Sequence, residues 1–254
     1  MKPLALLATL MLTATVAASA AEKDQRIYLL SSITAKPGKL DEIHALIRDR
    51  LMPPLAKLGL PTLGVFVPVE NGAGKIISVS AFASPEAAEK FKDAVDNDDA
   101  VKAGLAQLHE LADDAPNEPQ RVLMATDFSP AVTVAAGQGA RVFELRTYTA
   151  TPGNLPLLHA RFRDHTLALF AKHGMTNLWY WQPVPQQKDA DRTLVYLLAH
   201  ASVDAAKASF DAFRTDPEWI AAKAASEEKG GGSLTVPDGV KSVFLKATDY
   251  SPLK

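Results

Sequence analysis

Apolar and polar residues alternate along V-F-E-L-R-T-Y at 142–148. A period of two in β-branched and aromatic residues predicts a strand. Thr151-Pro152-Gly153 ends it as a turn. The period then changes: Leu155, Leu158, Phe162, Thr166 and Leu169 recur at three and four residues, the stripe of an amphipathic helix that runs to His173. Gly174 supplies its stop. N-L-W-Y-W and R-T-L-V-Y-L-L-A-H read as a hairpin across Q-P-V-P-Q-Q-K-D-A-D. A second helix starts over Ala205 to Phe213 and restarts at Asp216-Pro217, where Asp caps and proline suits a first turn. A glycine-rich loop at 230–233 precedes a last strand, K-S-V-F-L-K-A. The order is β-α-β-β-α-β, that of ferredoxin-like folds.

The unit is written twice. A-T-D-F-S-P at 125–130 returns as A-T-D-Y-S-P at 247–252, a shift of 122. K-P-G-K-L at 36–40 returns as T-P-G-N-L at 151–155, a shift of 115, and A-S-P-E-A-A at 83–88 returns as A-S-V-D-A-A at 201–206, a shift of 118. A slowly growing shift is what small loop insertions produce. Residues 26–130 and 141–252 are therefore two copies of one domain-sized unit. In the first, Pro53-Pro54 is expected to disturb the first helix. A sheet with helices on one face needs cover on the other. The natural cover is the other copy, so the expected fold is α+β, two ferredoxin-like sheets closed into one barrel.

Bulk properties narrow the class. Lys2, the apolar run Leu4 to Val16 and the small residues Ala18-Ser19-Ala20 read as a cleaved export signal over residues 1–20, which predicts a periplasmic or secreted protein. There is no cysteine, hence no disulfide framework, and core burial alone must hold the chain. The formal charge of −2, with no basic run, makes nucleic acid an unsuitable partner. No second apolar segment approaches membrane length, so no membrane partner is expected once the signal is removed. Sheet edges leave a homo-oligomer open.

The second copy resembles the NIPSNAP family, through E-L-R-T-Y at 144–148, P-G-N-L at 152–155, F-R-D-H-T-L-A-L-F-A-K-H-G at 162–174, W-Y-W at 179–181, D-P-E-W at 216–219 and T-D-Y-S-P at 248–252. The first copy is similar only in P-G, A-S-P-E-A-A and T-D-F-S-P. The resemblance implies a dimeric α/β-barrel fold, here a pseudo-dimer within one chain. It implies no settled reaction: wider fold relatives include cofactor-free monooxygenases, haem-using enzymes and small-molecule binding proteins.

Candidate chemistry lies in the second copy. Glu144, Arg146 and Tyr148 share one face of their strand. With the apolar face toward the helices, this polar face is expected to point into the barrel, where the charges must pair or bind something. At a shift of 115 the first copy has Leu29, Ser31 and Ile33 in their places, which argues for one asymmetric pocket, although a structural ion pair accounts for the same residues. Trp179, Trp181, Tyr196 and His200 are candidates for an aromatic wall suited to a flat anionic or carbonyl ligand, or for ordinary core. His165 has no partner in the first copy, which has Arg50 there, and is a candidate proton carrier or metal or haem ligand. His44 and His159 align, as do Arg48 and Arg163, and suit structural roles. No zinc motif, P-loop or nucleophile elbow occurs. No cofactor is predicted, with haem left open. The expected function is binding of a small aromatic, carbonyl or anionic ligand inside the barrel, with cofactor-independent oxygenase- or isomerase-like catalysis by Glu144, Arg146, Tyr148 and His165. The alternative is a non-catalytic interaction or scaffold protein.

Overall fold

The computed structural model describes residues 24–113, 120–131 and 141–254, so the leader read over residues 1–20 lies outside the described residues. In the first half, β1 (Ile27–Thr34) leads to α1 (Leu40–Ala45), α2 (Met52–Lys57), β2 (Thr62–Pro68), β3 (Lys75–Phe82), α3 (Pro85–Asp96), α4 (Asp99–Leu111) and β4 (Arg121–Ala125). In the second, β5 (Val142–Ala150) leads to α5 (Leu155–Arg161), α6 (Leu167–Lys172), β6 (Thr176–Pro183), β7 (Thr193–His200), α7 (Val203–Thr215), α8 (Pro217–Lys229) and β8 (Thr235–Ala247). The eight strands close into one barrel in the order β1-β3-β2-β8-β5-β7-β6-β4. Each half contributes an antiparallel sheet, and the halves meet at two seams, β2–β8 and β4–β6. Closure leaves no sheet edge unpaired, so the barrel needs no second chain to protect its strands.

The repeat shifts read from the sequence are structural registers. Tyr28 pairs with Ala81 and Phe143 with Ala199, which are shifts of 115 and 118. Ser84 and Ser202 cap α3 and α7, and Asp98 and Asp216 cap α4 and α8, each pair again 118 apart. The stripe Leu155, Leu158, Phe162, Thr166 and Leu169 is buried throughout. Pro53-Pro54 is not what interrupts the first helix. A π-helical turn at Leu46–Leu51 separates α1 from α2, and its counterpart at Phe162–Thr166 separates α5 from α6 without any proline. The prolines sit in the first turn of α2, where their missing N–H groups cost little.

The duplicated T-D-[FY]-S-P stretch is a reciprocal clasp. After β4, Thr126 donates through its N–H and hydroxyl to the Tyr180 carbonyl, and Ser129 Oγ accepts from the Tyr180 N–H at 3.0 Å. After β8, Thr248 donates the same two bonds to the Val65 carbonyl, and Ser251 Oγ accepts from the Val65 N–H at 2.9 Å. Asp127 pairs with Arg163 and Phe128 packs on His159, both on the second repeat's helix. Asp249 pairs with Arg48, and Tyr250 lies 2.7 Å from His44, both on the first repeat's helix. Each repeat thus ends by locking onto the other, and this accounts for the aligned histidines and arginines.

The barrel interior is filled. Tyr28, Phe66, Phe143, Trp179, Trp181, Val195, Leu197 and Leu245 form its apolar centre, with Leu145 against them. An eight-stranded barrel is just wide enough for its side chains to close. This inverts the expected facing of β5. Phe143, Leu145 and Thr147 point inward, and Glu144, Arg146 and Tyr148 point outward beneath the helices. Both faces of the strand are covered, so an apolar face could serve the barrel as well as the helices, and the closed barrel took it.

Candidate functional site

Three strands build the polar face. On the outer side of the sheet, Glu144 lies between Leu198 of β7 and Phe244 of β8, Arg146 between Tyr196 and Ser242, and Tyr148 between Leu194 and Val240. Strand alternation therefore places a carboxylate, a guanidinium and a phenol in one row along β5.

Glu144 is buried and carries three partners. Its Oε1 accepts from Arg146 Nη1 and from the Ser242 hydroxyl, and its Oε2 lies 3.1 Å from His200 Nε2. Burial is the largest single influence on this carboxyl and pushes its pKa up. The His200 hydrogen bond, the Arg146 charge and the Ser242 hydroxyl together outweigh burial, and the net shift is downward. An ionised carboxylate only accepts, so His200 carries its proton on Nε2. That leaves His200 Nδ1 buried without a partner.

Arg146 Nη2 donates to the Tyr148 hydroxyl at 3.3 Å, and the guanidinium lies 4.5 Å from the Phe210 ring centroid. Burial works against its charge, but Tyr196, Tyr148 and Glu144 outweigh it, so its pKa is raised. Its Nε has no partner. Tyr196 stacks on Tyr180 at 5.0 Å, and burial pushes its hydroxyl pKa well above the ordinary range.

Above this row, α7 and α8 stand off from the sheet and leave a cleft of about 530 Å³. Arg146 and Tyr148 form its floor, Phe210, Phe213 and Trp219 its apolar wall, and Arg214, Lys223 and Glu227 its charged rim. Arginine and lysine outnumber the single carboxylate of this lining, which favours an anionic occupant.

The structure gathers Glu144, Arg146, Tyr148, Tyr196 and His200 and separates the other candidates. Trp179 and Trp181 stack on each other at 5.9 Å in the barrel interior, away from the cleft. They alternate with Tyr180 along β6, which takes the outer face. His165 is exposed. It lies in the π-helical turn, whose i→i+5 spacing carries it off the buried stripe of Phe162 and Thr166. No histidine is among the residues lining the cleft, so His165 lies outside it.

Sequence reasoning missed Arg161, the last residue of α5 and 6% exposed. Its guanidinium lies 5.2 Å from the Trp219 ring centroid, and Nη1 donates to Ser226 Oγ at 3.3 Å. The shift of 115 sets Arg161 against Leu46, and that exchange of an apolar for a charged residue was the signal available. Trp219 was likewise legible as the partner of Val101 at the shift of 118. Phe210 and Ser242 needed the packed sheet to reveal them.

The first repeat has no such row. Leu29, Ser31 and Ile33 take its outer positions on β1, Ser78 stands for Tyr196 and Phe82 for His200. The polar set is therefore not a requirement of the fold.

The NIPSNAP family model matches residues 143–252. Over those residues the second repeat is similar to the NIPSNAP family. A NIPSNAP family protein from Agrobacterium tumefaciens is 25% identical to this chain, with a TM-score of 0.38, over 42% of this chain and 92% of that one. Over the whole barrel, a proposed monooxygenase from Fusobacterium nucleatum is 13% identical, with a TM-score of 0.57, over 88% of this chain and 92% of that one. An anthrone oxidase-like protein is 12% identical, with a TM-score of 0.51, over 90% and 93%. At these identities the two barrels share the fold with this chain. No curated protein matches the sequence.

Proposed function

We propose that the second repeat binds a small planar anion, aromatic or carbonyl-bearing, in the cleft between β5 and helices α7 and α8. The ligand site is thus the sheet–helix layer, not the barrel interior. One observation carries this reading: a partly buried guanidinium, Arg146, floors a cleft walled by aromatic rings, in one repeat and not in its twin. A ring of the ligand lies against Phe210 and Trp219, and its oxygen meets Arg146 and Tyr148. The Tyr148 hydroxyl accepts from Arg146, so its own proton is free to donate to that oxygen. A phenolate or enolate formed there is stabilised by the same two groups. The barrel fold is shared with a proposed monooxygenase and an anthrone oxidase-like protein, and we extend the proposal to an oxygenase- or isomerase-like reaction without a cofactor. With residues 1–20 read as a signal, we place this activity in the periplasm or outside the cell.

A second reading has its own observation. Arg146 is engaged by Glu144 through Nη1 and by Tyr148 through Nη2, as in an architectural ion pair. On that reading the protein is a non-catalytic interaction scaffold.

Native mass spectrometry with an absorption spectrum, on mature protein and on Arg146→Ala, tests the two. A bound small molecule or chromophore that vanishes in the variant supports the ligand site. An empty wild type beside a variant that is merely less stable supports the scaffold.

A further inference from the structure

Two arginines lie at or near the cleft, Arg146 partly buried in its lining and Arg161 buried against the lining ring of Trp219, and they are compensated very differently. Arg146 bonds directly to the buried carboxylate of Glu144. Arg161 has no such partner. Its nearest carboxylate, Glu227 Oε1, is 3.9 Å away, beyond hydrogen-bond reach, and its Nε bonds nothing. Glu227 is equally loose on its other side, with Oε2 3.8 Å from Lys223 Nζ. Glu227 lines the cleft, and its side chain is 26% exposed. Burial lowers the pKa of Arg161, with Glu227 opposing it incompletely. A buried guanidinium with unmet donors is costly, and the twin repeat avoids that cost with Leu46.

We infer that Glu227 is a placeholder carboxylate, held loosely where the carboxylate of a ligand seats on Arg161, and displaced when that ligand enters. The inference rests on the reading of the cleft as an anion site and adds the class of ligand. That class is a planar aromatic acid with a second oxygen: its carboxylate on Arg161, its ring against Trp219 and Phe210, and its hydroxyl or carbonyl at Arg146 and Tyr148. Trp219 lies under the Arg161 guanidinium and beside the cleft, so it joins the two anchoring points.

The test is a fluorescence titration with 1-hydroxy-2-naphthoate, and with 1-naphthol as the analogue lacking the carboxylate. Glu227→Gln removes the competing charge and should tighten naphthoate roughly three- to fivefold, the range of a half-exposed charge pair. It should leave 1-naphthol unchanged. Arg161→Leu should weaken naphthoate at least about tenfold, the loss of one charge-assisted contact. It should leave 1-naphthol within about twofold, and its Tm should not fall, because the equivalent position of the first repeat already holds leucine. If Glu227→Gln weakens naphthoate or leaves it unchanged, the placeholder is refuted. If Arg161→Leu melts lower while naphthoate binding persists, the Arg161–Glu227 pair is architectural and the inference fails. Arg146→Ala separates the two levels. If it loses naphthoate while Glu227→Gln has no effect, the cleft stands and the placeholder falls. If neither wild type nor Glu227→Gln binds naphthoate, both fall together.

Discussion

Glu144 is the residue on which the site turns, because three side chains from three strands donate to it. Glu144→Gln should destabilise the protein by about 3 kcal/mol at neutral pH, since it leaves the charge of the partly buried Arg146 uncompensated. The sign of its pH dependence follows from its lowered pKa. A carboxyl whose folded pKa is depressed stabilises the fold fully above its unfolded value, near 4.5, and loses that contribution as pH falls through the folded value. The gap between wild type and Glu144→Gln, measured by urea denaturation, should therefore be widest near neutrality and shrink below pH 4.5. A gap independent of pH would mean that Glu144 is not ionised in the fold. His200→Ala removes one of the three donors and should cost about 1–3 kcal/mol, without changing the direction of that pH dependence.

At the scale of elements, the repeated clasp is the feature most open to test. Ser129→Ala strands the Tyr180 N–H, and Ser251→Ala strands the Val65 N–H. Each should cost about 1–3 kcal/mol, the penalty of a buried unsatisfied donor. The seams lie on opposite sides of the barrel, so the double variant should be additive by chemical denaturation. Both clasps carry a histidine whose pKa burial lowers, His44 in one and His159 in the other. Burial pushes the His159 pKa from 6.5 to about 4, with Asp127 opposing that shift and Arg163 reinforcing it. A histidine kept neutral in the fold contributes fully above its unfolded pKa and loses that contribution as pH falls from 6.5 toward 4. Acidification over this window should loosen the Phe128 clasp, seen as faster amide exchange at the β4–β6 seam, and His159→Gln should abolish the effect. The polar row belongs to this scale as well. Its members were legible on β5 as an alternating face, but the same alternation is compatible with either side of the sheet.

For the whole molecule, the barrel is one cooperative body made of two sheets that cannot stand apart. Residues 141–254 alone would uncover Phe143, Leu145, Trp179, Trp181, Val195 and Leu197 and would leave β6 and β8 as open edges. The isolated second repeat should therefore be a dimer or an aggregate by light scattering, never a stable monomer. A monomeric, cooperatively folding 141–254 fragment would contradict this account of the interior.

The order of elements, the duplication, the helix caps, the buried stripe of α5 and α6 and the asymmetry between repeats were all present in the chain itself. Periodicity, capping residues and a second copy are local or self-referential signals, and they survive without coordinates. The facing of β5 was not among them. Both sides of the sheet are buried, so hydrophobicity cannot tell the barrel from the helix layer, and a one-residue inversion exchanges them. Closure of eight strands decided it, by filling the interior with Trp179, Trp181 and their neighbours and turning Glu144, Arg146 and Tyr148 outward. The same packing assembled Phe210 and Trp219, on two separate helices, around one cleft, brought Arg161 of a third helix against the Trp219 ring, and set His165 apart. Contacts between distant segments are a property of the closed barrel, and no spacing along the chain encodes them.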